Sequence, residues 1–188
     1  MYRLFVAIDL PPEVKGRLVP LRGGLPGARW VEGEQLHLTL RFIGEVDGGV
    51  LREIRASLET VHGRPFSLAL QGVGHFPPRG QPRVVWVGVE KSAPLTQLHG
   101  RVESALAAVG VAREGRKFSP HITLARLNGT PGSRVGRYLE EFGLFRTDPF
   151  AVEELTLYSS TLTRHGAVHT PEATYPLTAG SRDDEELP

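Results

Sequence analysis

His37-Leu38-Thr39-Leu40 returns 84 residues later as His121-Ile122-Thr123-Leu124. Both copies sit in β-rich runs, LHLTLRFI (residues 36–43) and HITLARL (residues 121–127). In a strand, residues two apart share a face, so each copy shows His and Thr on one side and aliphatic side chains on the other. Each copy is followed by a turn region and then a helical segment, so the repeat marks a duplicated half-unit. If the halves pack about an approximate two-fold axis, two imidazoles and two hydroxyls converge on one cleft. Imidazole gives or takes a proton near neutral pH, and hydroxyls donate to phosphoryl oxygens. Such a set suits phosphate chemistry in which one oxygen attacks while another leaves, with one histidine serving each.

Working outward, residues 2–10 alternate, with Leu4, Val6, Ile8 and Leu10 on one face and Arg3, Phe5, Ala7 and Asp9 on the other, which predicts a strand. Pro11 and Pro12 open a helix carrying Val14, Leu18 and Leu21, which Gly23 and Gly24 end. Gly44 is read as the stop of the first motif's strand. Residues 50–61 predict an amphipathic helix, 66–73 and 83–89 strands, and 95–109 a helix with Leu95, Leu98, Val102, Leu106 and Val109 at three- and four-residue steps. After the second motif, 133–142 reads as a short helix, and 151–163 with 167–177 as a hairpin. Several strands follow one another without a crossover helix, which excludes a doubly wound sheet. The expectation is an α+β fold of antiparallel or mixed sheets. Residues 1–180 form one bilobal domain in this reading, and 181–188 form an acidic, frayed tail.

The 188-residue chain has no cysteine, so disulfide, thiolate-zinc and cysteine-nucleophile readings fall away. Its formal net charge of +1 gives no overall field for indiscriminate nucleic-acid binding, and a nucleic-acid substrate must be gripped locally. Only Lys15, Lys91 and Lys117 among the 22 basic residues are lysines, a bias that base composition or a hot habitat explains as well as phosphate binding does. Met1 to Leu10 lacks the continuous apolar stretch of a signal peptide, and no run reaches membrane-spanning length, so a cytoplasmic protein is expected.

Of the other histidines, His165 and His169 have metal-pair spacing, but Gly166 and the nearby threonines place them in a hairpin where that spacing does not converge. His62 reads as an exposed residue at a helix end, and His99 as part of an amphipathic helix. His75, with Phe76 and Arg79, lies in the Gly/Pro-rich GHFPPRGQP segment, which reads as a loop, rim or lid able to contact substrate. Phe118 is a candidate for stacking a base, Trp30 and Trp86 read as core, and no GxGxxG or P-loop lysine motif occurs.

These residues resemble the two-histidine phosphoesterases, and within them the bacterial and archaeal RNA 2′,3′-cyclic phosphodiesterases, also called 2′-5′ RNA ligases. The likeness spans roughly residues 2–178 and includes RLFVAIDLP (3–11), LHLTLRFIGEV (36–46) and FSPHITLAR (118–126). It implies a two-lobed fold with the motifs facing across a groove, His37 as proton donor, His121 as proton acceptor, and Thr39 and Thr123 holding phosphate oxygens. Arg126 matches an arginine that follows the second motif in many members and is a phosphate contact in this reading; the segment 74–82 is expected to vary and to set what enters. The implied reaction converts an RNA-terminal 2′,3′-cyclic phosphate to a 2′-phosphate, with 2′-5′ ligation of RNA ends as an additional activity. The expectation is a reaction that needs no metal, no organic cofactor and no membrane, carried out by a monomer on RNA 3′ ends. A binding module without turnover and an enzyme for small cyclic nucleotides remain the alternatives.

Overall fold

The computed structural model describes residues 1–178; the acidic tail expected over 181–188 lies outside them. β1 (Tyr2–Asp9) is buried on both faces, with Leu4 to Ile8 all inaccessible, and accordingly lies inside a sheet. It pairs with β3 (His37–Val46) on one side and β9 (Glu154–Thr163) on the other, with β10 (Gly166–Pro176) outside β9. A second four-stranded sheet runs in the order β2 (Ala28–Trp30), β7 (His121–Leu127), β6 (Val84–Val89), β5 (Leu70–Phe76). β4 (Phe66–Leu68) and β8 (Phe150–Val152) form a short two-stranded sheet, and all strand pairs are antiparallel. The architecture is α+β.

The duplication shows as two like units. β1, α1 (Pro12–Leu18), β3 and α2 (Gly48–Leu58) match β6, α3 (Ala93–Ala108), β7 and α4 (Gly132–Phe142). Asp47 caps α2 by accepting from Val50 N–H at 2.9 Å, and Ser92 caps α3 by accepting from Leu95 N–H at 3.2 Å. β3 packs against β7, and α3 packs against both α2 and β3. Leu38 and Leu40 of β3, Ile122 and Leu124 of β7, and the inner faces of α2 and α3 belong to one continuous core. Burying each such leucine or isoleucine contributes roughly 1.5–3 kcal/mol, so this shared layer holds the halves together. Because both strands turn their aliphatic side chains into it, both His-x-Thr faces look away from it.

A β-bulge sits at the same place in each half. Val6 pairs with Arg41 and Ala7 with Thr39, leaving Leu40 extra; Val85 pairs with Ala125 and Trp86 with Thr123, leaving Leu124 extra. Simple alternation puts Arg41 on the His37 face. The bulge instead turns Arg41 into the interior, 8% exposed, and brings Phe42 outward, 63% exposed. The buried guanidinium donates to the carbonyls of Phe42 and Ala112 and lies 2.5 Å from Glu103 Oε1 through Nε, an ionic contact off the N–H axis. Glu103 Oε2 also accepts from Glu114 N–H, so the pair ties β3 and α3 to the segment leading into the second motif.

Other boundaries differ from the sequence expectation. Gly44 does not stop β3; with φ +97° it takes a conformation open to glycine beside a second register shift, and the strand resumes to Val46. The run 66–73 divides at Ala69 because its two parts pair with different partners, β8 and β6. β5 continues to Phe76, so His75 and Phe76 are strand residues and only the turn beyond them is irregular. The three-residue strands β2, β4 and β8 are too short to show a period. Among the described residues no helix is long and apolar enough to cross a membrane.

Removing Glu103 alone strands a buried cation. Glu103→Ala is expected to lower unfolding free energy by about 3–5 kcal/mol, whereas Arg41→Met with Glu103→Leu should recover most of it. Urea unfolding of the three proteins at pH 7 measures both, and a Glu103→Ala cost below about 1 kcal/mol would show that the pair does not anchor this region.

Candidate active site

His37 and His121 are each the first residue of their strand, and each is held from behind in the same way. His37 Nδ1–H donates to the Gln35 carbonyl at 2.6 Å and His121 Nδ1–H to the Ser119 carbonyl at 2.7 Å. Gln35 and Ser119 are themselves 84 residues apart, so the device is duplicated with the motif. A carbonyl only accepts, so Nδ1 carries the hydrogen in both rings and Nε2 is left for proton transfer. Thr39 Oγ1 lies 3.0 Å from His37 Nε2 and donates to it when the ring is neutral.

The two sheets supply different walls. In the first, Phe5 lies beneath His37, ring centroids 5.0 Å apart, and Tyr158 stacks on Phe5 at 5.3 Å. His169 packs edge-on against Phe5 and His37 at 4.8 and 5.2 Å, and Tyr158 OH donates to the Asp9 carboxylate at 2.6 Å, beside His37 in the register. In the second, Phe76 meets His121 edge-on at 4.9 Å and Trp86 lies 6.2 Å away. The indole occupies the space above Gly74, where a Cβ would come within 2.3 Å of its Cζ2. Glycine there is what lets Trp86 lie flat.

The sequence pattern of the 2′-5′ RNA ligase superfamily matches residues 10–164, a span that contains both His-x-Thr strands. The chain belongs to the 2′-5′ RNA ligase superfamily. Among its relatives, the RNA 2′,3′-cyclic phosphodiesterase of Archaeoglobus fulgidus is 36% identical over 89% of this chain and 96% of its own length. That of Thermotoga maritima is 38% identical over 89% and 91%, and that of Escherichia coli 32% over 94% and 97%. Among solved structures, E. coli LigT complexed with 3′-AMP superposes with a TM-score of 0.77 at 31% identity, covering 95% of this chain and 99% of LigT. TT0787 of Thermus thermophilus gives 0.77 at 29% identity, covering 93% and 97%.

Within this superfamily member, the residues expected from sequence fall into two groups. His37 and Thr39 on β3, and His121 and Thr123 on β7, each lie on the face of their strand opposite its buried aliphatic residues. Arg126 joins them: alternation assigns it to the aliphatic side, but the bulge at Leu124 sets it opposite Val84, in line with Trp86 and the motif. His75 does not reach this face. It pairs with Val85, which is fully buried, and so faces the interior. Phe118 has its ring covered by His99, 3.9 Å away and nearly parallel, and packs against the core. Trp86, read as core, instead lines the motif face. Sequence spacing offers His169 only as half of a metal pair; hairpin register, which that spacing leaves open, brings it to His37. Among the described residues no three His, Asp or Glu side chains gather as a metal-holding group. A separate hollow lined by Glu13, Arg17, Glu90, Arg146 and Asp148 carries mixed charge and none of the motif residues.

Burial pushes the His37 imidazole down to about 4; the Gln35 carbonyl and Asp9 oppose the shift, while His169 and Lys15 add to it. Burial also lowers His121, against the pull of the Ser119 carbonyl, and lowers His169. His37 is therefore neutral at pH 7 in the free protein.

The sign of the consequence follows from linkage. With the folded value below the unfolded 6.5, the unfolded chain binds the proton first, so stability is full above pH 6.5 and falls as pH drops, levelling out below about pH 4. The His37 contribution is roughly 3 kcal/mol over that window. Urea unfolding at pH 7 and pH 4.5 should show a steeper acid loss for the wild type than for His37→Asn, and equal losses would show that His37 does not titrate low.

Proposed function

We propose that this chain hydrolyses the 2′,3′-cyclic phosphate at an RNA 3′ end, leaving a 2′-phosphate and a free 3′-hydroxyl. The observation that carries the reading is the duplicated imidazole, each with Nδ1 fixed by a backbone carbonyl and Nε2 available, in a chain whose superfamily relatives bear the name RNA 2′,3′-cyclic phosphodiesterase. In this mechanism neutral His121 takes a proton from water as the water attacks phosphorus. The P–O3′ bond breaks opposite, and protonated His37 donates to the departing 3′ oxygen. Thr39 and Thr123 hydroxyls and the Arg126 guanidinium hold the non-bridging oxygens as charge builds on them. With an RNA 5′-hydroxyl in place of water as the nucleophile, the same groups join ends through a 2′-5′ bond and release the 3′-hydroxyl.

The acid role asks His37 to carry a proton that its burial disfavours. The phosphodiester's negative charge resolves this: an anion within a few ångströms of a desolvated imidazole favours the charged form. Substrate thus protonates its own acid, and binding is coupled to proton uptake. Both motifs come from one chain, so a monomer is sufficient. We place the enzyme in the cytoplasm, with RNA ends as its substrate, and without a metal, because proton transfer and oxyanion contacts are supplied by side chains.

His37→Ala and His121→Ala are each expected to lower turnover of an oligonucleotide 2′,3′-cyclic phosphate by at least about 10²-fold, and the double variant should be little worse than either. Thr39→Ala or Thr123→Ala should cost roughly 10-fold to 10³-fold. Product analysis tests the geometry: a 3′-phosphate from the wild type would overturn the assignment of donor and acceptor, and a turnover-competent double histidine variant would overturn the mechanism.

Isothermal titration with adenosine 2′-phosphate at pH 7, in two buffers of different ionisation heat, should show proton uptake that His37→Ala reduces. Rates unchanged in excess EDTA are expected, whereas loss with EDTA and recovery with a divalent metal would replace this mechanism by a metal-assisted one.

A further inference from the structure

We infer that Arg29 binds the phosphodiester linking the terminal nucleotide to its neighbour, which makes this site one for an RNA chain rather than a lone cyclic nucleotide. The inference rests on the phosphodiesterase reading above and adds the residue that would distinguish an RNA chain from a mononucleotide.

Arg29 is the central residue of β2, and its orientation is fixed by its neighbours. Ala28 pairs with Leu127 and Trp30 with Ala125 on the interior side, where the Trp30 ring lies 6.1 Å from that of Tyr138 in α4. Arg29 must then face the other way, directly opposite Arg126. Arg126 in turn pairs with Val84, and Val84 with Phe76, so the row Arg29, Arg126, Val84, Phe76 crosses the sheet on the His121 side. β2 is a firm mount despite its length: Val31 N–H donates to the Leu124 carbonyl at 2.8 Å, Asn128 N–H to the Gly27 carbonyl at 3.1 Å, and Thr130 Oγ1–H to the Pro26 carbonyl at 2.6 Å.

Two like charges directly opposite in an antiparallel pair repel, at Cα separations of about 4.5–5.5 Å. Both arginines are exposed, and among the described residues no carboxylate lies within 4.0 Å of either. The chain therefore keeps an uncompensated pair of guanidinium groups on the face that carries its acid-base residues, and the compensation it lacks is an anion. A terminal cyclic phosphate is one anion, and Arg126 lies on the motif strand itself. Arg29 sits one strand farther out, where a second phosphate of the same chain is the anion within reach. The matching position in the other half strengthens the assignment: 84 residues before Arg126 stands Phe42, exposed against Phe5, so at this matched position the second half alone carries a cation.

The test compares a probe with one phosphate and a probe with two. Adenosine 2′-phosphate and the dinucleotide ApA 2′-phosphate are titrated into wild type, Arg29→Ala and Arg29→Lys, and kcat/KM is measured for the corresponding cyclic phosphates. Arg29→Ala is expected to weaken the dinucleotide about 10-fold in both measurements, to reduce the slope of log affinity against log salt by about 0.7, and to leave the mononucleotide unaffected; Arg29→Lys should restore part of the loss. Equal loss on both probes would place Arg29 on the terminal phosphate or in the fold, and no loss on either would remove it from the site; each overturns the inference. If neither cyclic compound turns over while the dinucleotide binding difference persists, the phosphodiesterase reading fails and the phosphate contact stands.

Discussion

The structure depends on one constraint: β3 and β7 must bury their aliphatic sides in the same layer. Leu38 and Leu40 from one strand and Ile122 and Leu124 from the other share a core with α2 and α3. Strand alternation then leaves no freedom for the histidines and threonines, which emerge on the opposite face of each strand. Packing in the interior thus sets the orientation of both motifs, and neither half-unit alone supplies both strands of that layer.

Burial also sets the electrostatics. The aromatic and imidazole rings around His37, namely Phe5, Tyr158 and His169, exclude water from one side of it, and the resulting depression of its basicity is the cost of fixing its position. His121 is less enclosed and has no second imidazole packed on it. The two rings share a hydrogen-bond device yet differ in surroundings, and burial lowers the basicity of both.

Much of this is legible in the sequence, and what is not has identifiable causes. The repeat, its strands and the α+β class follow from residue type and period. β7 begins and ends where its pattern does, and α3 differs by one or two residues at each end. The carbonyls of Gln35 and Ser119 cannot be read, because a backbone acceptor leaves no mark on residue type. His169 depends on hairpin register, which shifts between Pro171 and Ala173. His75 reads as a loop residue because prolines follow it, yet pairing with β6 carries the strand past it. Phe118 meets His99 from an element far away in sequence, and Arg29 is hidden in a strand too short to carry a period.

The matched bulges at Leu40 and Leu124 make each strand a sentence whose second half is read in a different frame from its first. Flattening either bulge while keeping its residue would do more than straighten a strand: it would turn everything downstream inside out, in the first half bringing Arg41 to the surface and sending Phe42 inward. Substitutions around the motifs can be accepted one at a time, but losing a bulge changes several environments at once. What the two halves have kept in common is therefore a count of residues as much as their chemistry, and that shared count has left residues 42 and 126 free to diverge into an aromatic and a cation while occupying the same place in the frame.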